Sequence, residues 1–409
     1  MTSCEEAQKL ISENNFLPKE EEMPLSTVLG RVNARDLKAP ISLPVFDNSA
    51  MDGFALRSED TLGASPERPV FLPIRGVVKA GDSKEAVLSR HQTCRIVTGS
   101  FIPQGADAVL AKEDVFIRES SLVIQSPVSR GQNIRMLGEE IKKGDVVLKK
   151  GLAINPGTVG FLSAMGVDRI RVYQAPRIAI IATGSELAAP GKLLRTGKIY
   201  DANTAMICAA LEEMRIRPAF VRRVRDDRPL LMKKIIDFSI KESDVVILMG
   251  GVSVGDYDLV KKILAESGVK ALFWKVSQKP GKPLYFGKKD DRLVFGLPGN
   301  PASVFTCFYE YVYPAIRQSM GYPNPYLSSE SIELAQAIKP DREKTLFIKA
   351  RIASEKERVV TPLKNQKSHM LSSFCEADSF VVVPGSEKIL EKGAKVEVHS
   401  LPYAMGSVR

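Results

Sequence analysis

The stretch from residue 177 to residue 320 alternates short apolar runs with helical patterns, and this alternation restricts the fold more than any other feature of the chain. The runs RIAIIAT, PAFVRRV and DVVILMG are typical of strands, while NTAMICAALEEM, PLLMKKIIDFSIKE and LVKKILAESG have helical spacing. Strands separated by helices predict a parallel sheet that is covered by helices on both faces. The predicted fold class is therefore α/β.

The rest of the chain predicts further domains, because 409 residues exceed what one hydrophobic core usually supports. Residues 1–38 have helical spacing and are predicted to join residues 145–176, where Asn155 and Pro156 are typical of a helix start, in a helical or mixed domain. Short β-rich runs predict a small β domain over residues 39–144. The α/β domain is expected over residues 177–326, and a second small β domain over residues 327–409.

Charge and composition indicate a soluble protein with an anionic ligand. The chain has a formal net charge of +10, with 44% hydrophobic and 26% charged residues. It has one Trp, no long Lys/Arg run and no nucleic-acid-binding motif, so we expect a small phosphorylated ligand and no nucleic acid. The short RRVR cluster at 222–225 is interpreted as a strand end.

Cysteine usage and hydropathy bear on the compartment. The five cysteines are widely spaced without a C-x-x-C pair, and the three histidines are scattered, which argues against a zinc centre and for a reducing compartment. The polar start MTSCEEAQKL is unlike a signal peptide, and no apolar stretch reaches the roughly 18 residues of a membrane span. A cytoplasmic protein without membrane contact is expected.

Three distinctive strings follow apolar runs: TGSE at 183–186, GGVSVGDYD at 250–258 and LPGNPAS at 297–303. The carboxyl ends of parallel strands meet at one edge of a sheet, where α/β proteins bind ligands. The carboxylates in and near these loops suit a divalent metal such as Mg²⁺. They are Glu186, Asp226, Asp227, Asp256 and Asp258.

Each carboxylate also has a structural alternative. Asp256 and Asp258 could cap the helix that follows them, and Asp226 or Asp227 could cap the helix PLLMKKIIDF. Glu186 could be a first-turn glutamate that complements a helix dipole.

Groups suited to phosphate or oxyanions accompany these carboxylates. The glycine-rich loop after residue 249 can form a nest of N–H donors, and Lys279 and Lys282 flank a Pro-Gly turn. LPGNPAS predicts a helix that begins at Asn300 and Pro301, with free N–H groups and the hydroxyl of Ser303 available to an anion.

Longer motifs carry a resemblance to a known family. DNSAMDGFA at 47–55, TGSFIPQGADAV at 98–109, GQNIRMLGEE at 131–140, ATGSEL at 182–187, GGVSVGDYD, KPGKP and GLPGNPAS together resemble the MoeA family, which is related to the gephyrin E domain. The match runs in order from about residue 20 to 400. The resemblance implies a molybdopterin molybdenumtransferase that takes adenylylated molybdopterin and molybdate and, with Mg²⁺, releases AMP and the molybdenum cofactor.

The resemblance also implies an architecture and partners. It implies four domains: a MogA-like α/β domain, a dimerisation domain built from 1–38 and 145–176, a small β domain and a barrel-like C-terminal domain. They would form an elongated homodimer, in which Asp52, with Thr98 nearby, serves the site across the dimer. The resemblance also suggests other proteins of cofactor synthesis as partners.

By motif position, the resemblance assigns catalytic roles to Asp52, Glu186, Asp227 and Asp258. The metal positions are Glu186, Asp226, Asp227 and Asp258. The substrate-binding positions are Thr98, Gly250, Gly251, Ser253, Lys279, Lys282, Pro298, Asn300, Pro301 and Ser303.

Three positions depart from the family pattern. Met249 stands where a small residue is usual, Lys349 where many members have arginine, and Lys367 where glycine is common. The roles of Lys349 and of residues 367–373 are left open, as is the group that attacks the adenylate phosphate.

Two other functions are considered. The chain could be a molybdopterin adenylyltransferase, which resembles the 177–320 region alone, or a gephyrin-like scaffold. The DNSAMDG segment and the flanking β domains argue against the adenylyltransferase, and the lack of an added partner domain or long linker argues against the scaffold.

Overall fold

The computed structural model describes residues 1–82, 86–251, 259–353 and 358–403 of the protein. Ser253, Asp256 and Asp258, which the sequence predicts to bind substrate or metal, lie outside the described residues.

The first 38 residues contain one α-helix, α1 (Cys4–Glu13), which begins after Ser3, whose Oγ accepts the Glu6 amide hydrogen bond at 3.1 Å. The prediction that residues 14–38 are also helical is wrong. Those residues form β1 (Glu20–Pro24), a 3₁₀ turn at Leu25–Thr27 and β2 (Leu37–Lys38). β1 pairs antiparallel with a strand at Arg169–Tyr173, and this distant pairing outweighs the local helical periodicity.

In the described part of the chain, the next eight strands after β2 are β3 (Asn48–Ser49), β4 (Gly53–Leu56), β5 (Val70–Val78), β6 (Thr93–Ile96), β7 (Ala108–Ala111), β8 (Phe116–Arg118), β9 (Ser121–Ile124) and β10 (Ile134–Arg135). Six of them form one sheet in the order β7, β4, β6, β5, β9, β8, and β3 pairs separately with β10. We call the part of the chain around this sheet the small β domain.

The chain then returns to the N-terminal segment through β11 (Val146–Leu148), α2 (Pro156–Ala164) and β12 (Arg169–Tyr173). The predicted start of α2 is confirmed, because Asn155 Oδ1 accepts the Thr158 amide hydrogen bond at 2.8 Å. β12 pairs with β1 and β11 pairs with β2, so these two distant stretches share one core.

After β12 the chain has the predicted α/β fold, and we call this part the α/β domain. Its strands are β13 (Ile178–Thr183), β14 (Leu187–Ala188), β15 (Ile199–Tyr200), β16 (Phe220–Val224), β17 (Val245–Met249), β18 (Lys270–Trp274), β19 (Gln278–Lys279), β20 (Tyr285–Lys289) and β21 (Arg292–Leu297). The four strands β16, β13, β17 and β21 are parallel neighbours, and β20 and β18 extend the sheet in the antiparallel sense. The helices are α3 (Ala202–Glu213), α4 (Pro229–Glu242), α5 (Leu259–Glu266), α6 (Pro301–Cys307) and α7 (Tyr313–Ser319).

Both faces of this sheet are buried. Along β13, Ile178 and Ile180 belong to one core cluster and Ala179 and Ile181 to another, as the alternation of side chains along a strand requires. A π-helical segment, Phe308–Val312, joins α6 to α7. α1 packs against the first of the two clusters, so the N-terminus of the chain completes the core of the α/β domain.

The C-terminal region is a closed β barrel. Its strands are β22 (Ser328–Leu334), β23 (Thr345–Ile352), β24 (Val359–Pro362), β25 (Ser379–Val383) and β26 (Lys395–Ser400). The sheet closes on itself, because β23 pairs with β24, β24 with β22, β22 with β26, β26 with β25, and β25 again with β23. β19 of the α/β domain pairs with β23, which links the two domains. Within the described ranges, no helix is both long and apolar enough to span a bilayer.

Candidate active site

The loops after the four parallel strands surround a cavity of about 580 Å³. The strand registers place Thr183 beside Val224 and Met249 beside Leu297, so all four strands end at the same edge. The cavity is lined at its polar positions by Thr183, Gly184, Glu186, Asp201, Asn203, Asp226, Gly250, Gly251, Gly299, Asn300 and His369. The expectation that the strand-end loops converge is thereby confirmed.

Two of the predicted carboxylates, Glu186 and Asp226, line this cavity, which we call the carboxylate cavity. The Ser185 amide donates to Asp226 Oδ1 at 3.1 Å, which ties the loop after β16 to the loop after β13. The Glu186 carboxylate lies over Gly184, since a Cβ added at Gly184 would meet both carboxylate oxygens at 2.6 Å. Glu186 stands in a turn between β13 and β14, so the interpretation as a first-turn glutamate of a helix is wrong.

Asp227 does not line this cavity. Its Oδ1 accepts a hydrogen bond from Arg225 Nε at 2.9 Å, and hydrogen bonding to Arg225 lowers the pKa of the Asp227 carboxyl group. The residue before α4 is Arg228, so neither Asp226 nor Asp227 caps that helix. In this structure Asp226, and not Asp227, faces the same space as Glu186.

Two glycines bring the loop after β17 against β13. Gly250 and Gly251 have φ values of 84° and 69°, in the left-handed region. A Cβ on Gly250 would lie 2.5 Å from the carbonyl oxygen of Thr183, and one on Gly251 would lie 2.6 Å from a Val260 methyl group. Met249, the departure from the family pattern, is 2% exposed and packs in the sheet core.

A second cavity, of about 600 Å³, adjoins the first and contains the predicted lysines. Lys279, Lys282 and the buried Ser303 line this lysine cavity. Lys344 and Lys367 also line it, and Pro283 and His369 line both cavities. Among the described residues, neither Lys279 nor Lys282 lies within ion-pair distance of a carboxylate, although Lys279 attracts Asp341, whose ion-pair partner is Lys344.

The start of α6 is partly covered by the barrel. The helix begins at Pro301 as predicted, but the Ala302 amide donates to the Ser368 carbonyl at 3.0 Å, and Asn300 Nδ2 donates to Ser368 Oγ at 3.1 Å. The expected open helix terminus is therefore already bonded at one N–H group. From the barrel, Lys367, Ser368 and His369 line the lysine cavity, and His369 also lines the carboxylate cavity.

Known proteins match this arrangement along the whole chain. Family descriptions match in order: the MoeA N-terminal region (domain I and II) over residues 2–166, a probable molybdopterin binding domain over 179–318, and the MoeA C-terminal region (domain IV) over 331–401. Molybdopterin molybdenumtransferase 2 of Mycobacterium tuberculosis is 33% identical over 98% of this chain and 100% of its own length. Molybdopterin molybdenumtransferase of Staphylococcus aureus is 33% identical over 96% of this chain and 94% of its own length.

Solved structures agree. Two crystal structures of the molybdopterin biosynthesis MoeA protein of Pyrococcus horikoshii superpose with TM-scores of 0.83 and 0.81 at 31% and 29% identity. Each comparison covers 98% of this chain and at least 99% of the other. The chain belongs to the MoeA family. Its relatives are transferase enzymes of molybdenum cofactor biosynthesis.

Lys349, the barrel residue where many MoeA proteins have arginine, supports the shared loop. Its side chain is buried, and Nζ donates to the Met370 carbonyl at 3.1 Å and lies 4.8 Å from the Phe374 ring centre. Burial lowers the pKa of Lys349. Ser373 Oγ donates to the Asn365 carbonyl at 2.9 Å. Both residues hold the loop in place and do not line either cavity.

Asp52 and Thr98 lie in the small β domain and line neither cavity. Asp52 Oδ1 accepts hydrogen bonds from the Thr98 amide at 2.8 Å and from the Thr98 hydroxyl at 2.9 Å, and Lys112 Nζ lies 3.4 Å from Oδ2. The Thr98 amide, followed by the Thr98 hydroxyl and Lys112, lowers the pKa of Asp52. The side chain is nevertheless 48% exposed, so the carboxylate is ionised and accessible.

The structure adds site residues that the sequence reasoning missed. Asp201 is 2% exposed, accepts the Thr204 amide at 3.0 Å as the cap of α3, and pairs with Arg223 Nε at 2.8 Å. Asn203 Nδ2 donates to the Gly299 carbonyl at 2.8 Å and so fixes the loop before α6. An Asp before the helical run was a usable signal for the cap, but nothing local connects Asn203 to Gly299.

Proposed function

We propose that this MoeA-family protein inserts molybdenum into molybdopterin. The substrates are adenylylated molybdopterin and molybdate, and the products are AMP and the molybdenum cofactor. The observation that carries the proposal is the contact between the two cavities, which share Pro283 and His369. One offers carboxylates and the other lysine ammonium groups, as a reaction between a pyrophosphate and an oxyanion near a divalent cation requires.

Glu186 and Asp226 are proposed to hold Mg²⁺. A hard cation of this kind takes one or two carboxylates together with phosphate oxygens, and these two side chains have that chemistry and share one cavity. By its position in the family motif, the predicted Asp258, which lies outside the described residues, is proposed as a further ligand. Bound Mg²⁺ would polarise the phosphoanhydride.

Lys279 and Lys282 are proposed to neutralise molybdate or the pterin phosphate, with the Ser303 hydroxyl as a donor. Two ammonium groups on one cavity wall match a tetrahedral dianion, and charge-assisted hydrogen bonds are stronger than neutral ones. In the reaction, a nucleophilic oxygen attacks the adenylate phosphorus and the P–O bond to the pterin phosphate breaks, so the pterin phosphate is the leaving group. If the nucleophile is water, its oxygen remains in the AMP that is released. If it is molybdate, adenylyl-molybdate forms first, and a water molecule hydrolyses it to AMP and molybdate.

The position of Asp52 supports a homodimer as the working form. Its ionised carboxylate is held rigidly by Thr98 yet lies outside both cavities of its own chain. We propose that it approaches the site of a second copy.

The decisive experiment measures AMP release from adenylylated molybdopterin with and without molybdate, in the presence of Mg²⁺. Molybdate-dependent AMP release with formation of molybdenum cofactor is the expected result. ATP-dependent adenylylation of molybdopterin would instead make the chain an adenylyltransferase, and the absence of both activities would favour a scaffold.

A further inference from the structure

Gln278 directly precedes the first lysine of the KPGKP turn and is completely buried. It is the first residue of β19, the short strand that joins the α/β domain to the barrel. An amide in this position costs free energy unless its polar atoms form hydrogen bonds.

Both polar atoms of the Gln278 amide group have hydrogen-bond partners. Nε2 donates to the Gly281 carbonyl at 3.1 Å and lies 3.4 Å from Cys307 Sγ. Oε1 accepts from the Tyr311 hydroxyl and from Cys4 Sγ at 3.7 Å. Burial raises the pKa of the Cys307 and Cys4 thiols and of the Tyr311 hydroxyl, so these groups stay neutral at physiological pH. The Gln278 side chain thus connects α1 and the π-helical segment with the KPGKP turn.

The turn packs tightly against this network. Gly281 has φ of 92°, and a Cβ there would lie 2.6 Å from Cys307 Sγ and 2.7 Å from Gln278 Nε2. At the other end of the turn, the Val276 amide donates to the Lys282 carbonyl at 2.9 Å. The backbone between the two lysines is therefore held by the Gln278 side chain, and Gln278, Lys279 and Lys282 all line the lysine cavity.

We propose that Gln278 is a positioning residue for the anion site: its amide anchors Gly281 and so keeps Lys279 and Lys282 directed into one cavity. This inference rests on the proposed role of the two lysines. A methionine would fill the same volume without a buried amide, so packing alone does not account for the choice of glutamine.

The test compares Gln278→Met with a matched control, Thr306→Val, by molybdate titration calorimetry and by the kinetics of AMP release. Thr306 is 1% exposed, and its hydroxyl has no partner among the described residues, so the control changes a buried side chain without loss of a hydrogen bond. In Gln278→Met the Kd and KM for molybdate should rise roughly tenfold. The value of kcat should change less than about threefold, because the groups on the carboxylate cavity remain in place. Thr306→Val should leave Kd, KM and kcat at the wild-type values.

A folded Gln278→Met protein with wild-type molybdate affinity would overturn the proposal. Lys282→Ala, measured in parallel, distinguishes the positioning role of Gln278 from the existence of the anion site. Weak binding in Lys282→Ala with normal binding in Gln278→Met contradicts only the positioning role, whereas normal binding in Lys282→Ala contradicts the anion site itself. If Gln278→Met does not fold, Gln278→Asn replaces it, since its amide is one methylene too short to reach the Gly281 carbonyl, and the same two outcomes decide.

Discussion

His399 of the barrel and Glu310 of the α/β domain form an ion pair between the two domains. Nδ1 of His399 lies 3.0 Å from Oε1 of Glu310, whose side chain is 2% exposed, and Nε2 lies 3.1 Å from Glu397. Burial lowers the pKa of His399, but hydrogen bonds with Glu310 and Glu397 and their negative charges outweigh it and raise the pKa to about 9. The imidazolium therefore links the barrel to the π-helical segment at neutral pH.

Because of the His399–Glu310 ion pair, we expect the free energy of unfolding to fall in mild alkali. The folded pKa of His399 lies above the usual value of 6.5, so the folded state binds the proton more tightly. The contribution is complete below about pH 6.5 and is lost as pH rises through about 9, for a total on the order of 3 kcal/mol. Thermal unfolding of the wild type between pH 6 and 10 should show this decline. The double variant Glu310→Gln/His399→Gln should lack it.

The matched control for that experiment is His91→Gln, because the side chain of His91 is 78% exposed. It should follow the wild-type curve. Parallel pH profiles for the wild type and the double variant would show that the ion pair does not set the alkaline limit.

Glu186→Gln should reduce molybdate-dependent AMP release by at least about a hundredfold, because it removes a proposed metal ligand. The melting temperature should change little, since Glu186 is exposed. Glu212→Gln, an exposed change outside both cavities, is the control. Full activity of Glu186→Gln at saturating Mg²⁺ would remove Glu186 from the proposed site.

Lys282→Ala should weaken molybdate binding by roughly one to two orders of magnitude, because it removes a charge-assisted hydrogen bond. Its free energy of unfolding should change by no more than about 1 kcal/mol, because Lys282 is partly exposed. Calorimetric titration and thermal unfolding, with the exposed Lys9→Ala as control, measure both quantities. Unchanged affinity with a large fall in melting temperature would assign Lys282 to the fold.

Mixed subunits test the proposed homodimer. We expect Asp52→Ala and Glu186→Gln proteins to lose nearly all AMP-release activity alone and to regain part of it after subunit exchange, because a hybrid dimer contains one site with both carboxylates. Sedimentation establishes that exchange has occurred. If verified hybrid dimers stay inactive, or the wild type sediments as a monomer, Asp52 does not serve a second copy.

The sequence predicted the parallel sheet correctly, because apolar runs and helical spacing are local patterns and the same segments form strands and helices in the folded protein. It also placed Glu186, Asp226, Gly250 and Asn300 at one sheet edge, since parallel strands share their carboxyl ends. It failed for residues 14–38, where β1 and β2 find their partners more than 100 residues away.

Sequence by itself therefore determined the family, the strand-end loops and the residue types that suit a metal and an oxyanion. Tertiary structure decided which side chains meet. Arg225 takes Asp227 away from the cavity while Asp226 faces it, and the barrel loop brings His369 to both cavities. The buried contacts of Gln278 with Gly281 and Tyr311 were likewise invisible in the sequence. The physical reason is that hydrogen bonds and ion pairs act over a few ångströms in space, and no local pattern records which distant residues will be brought that close.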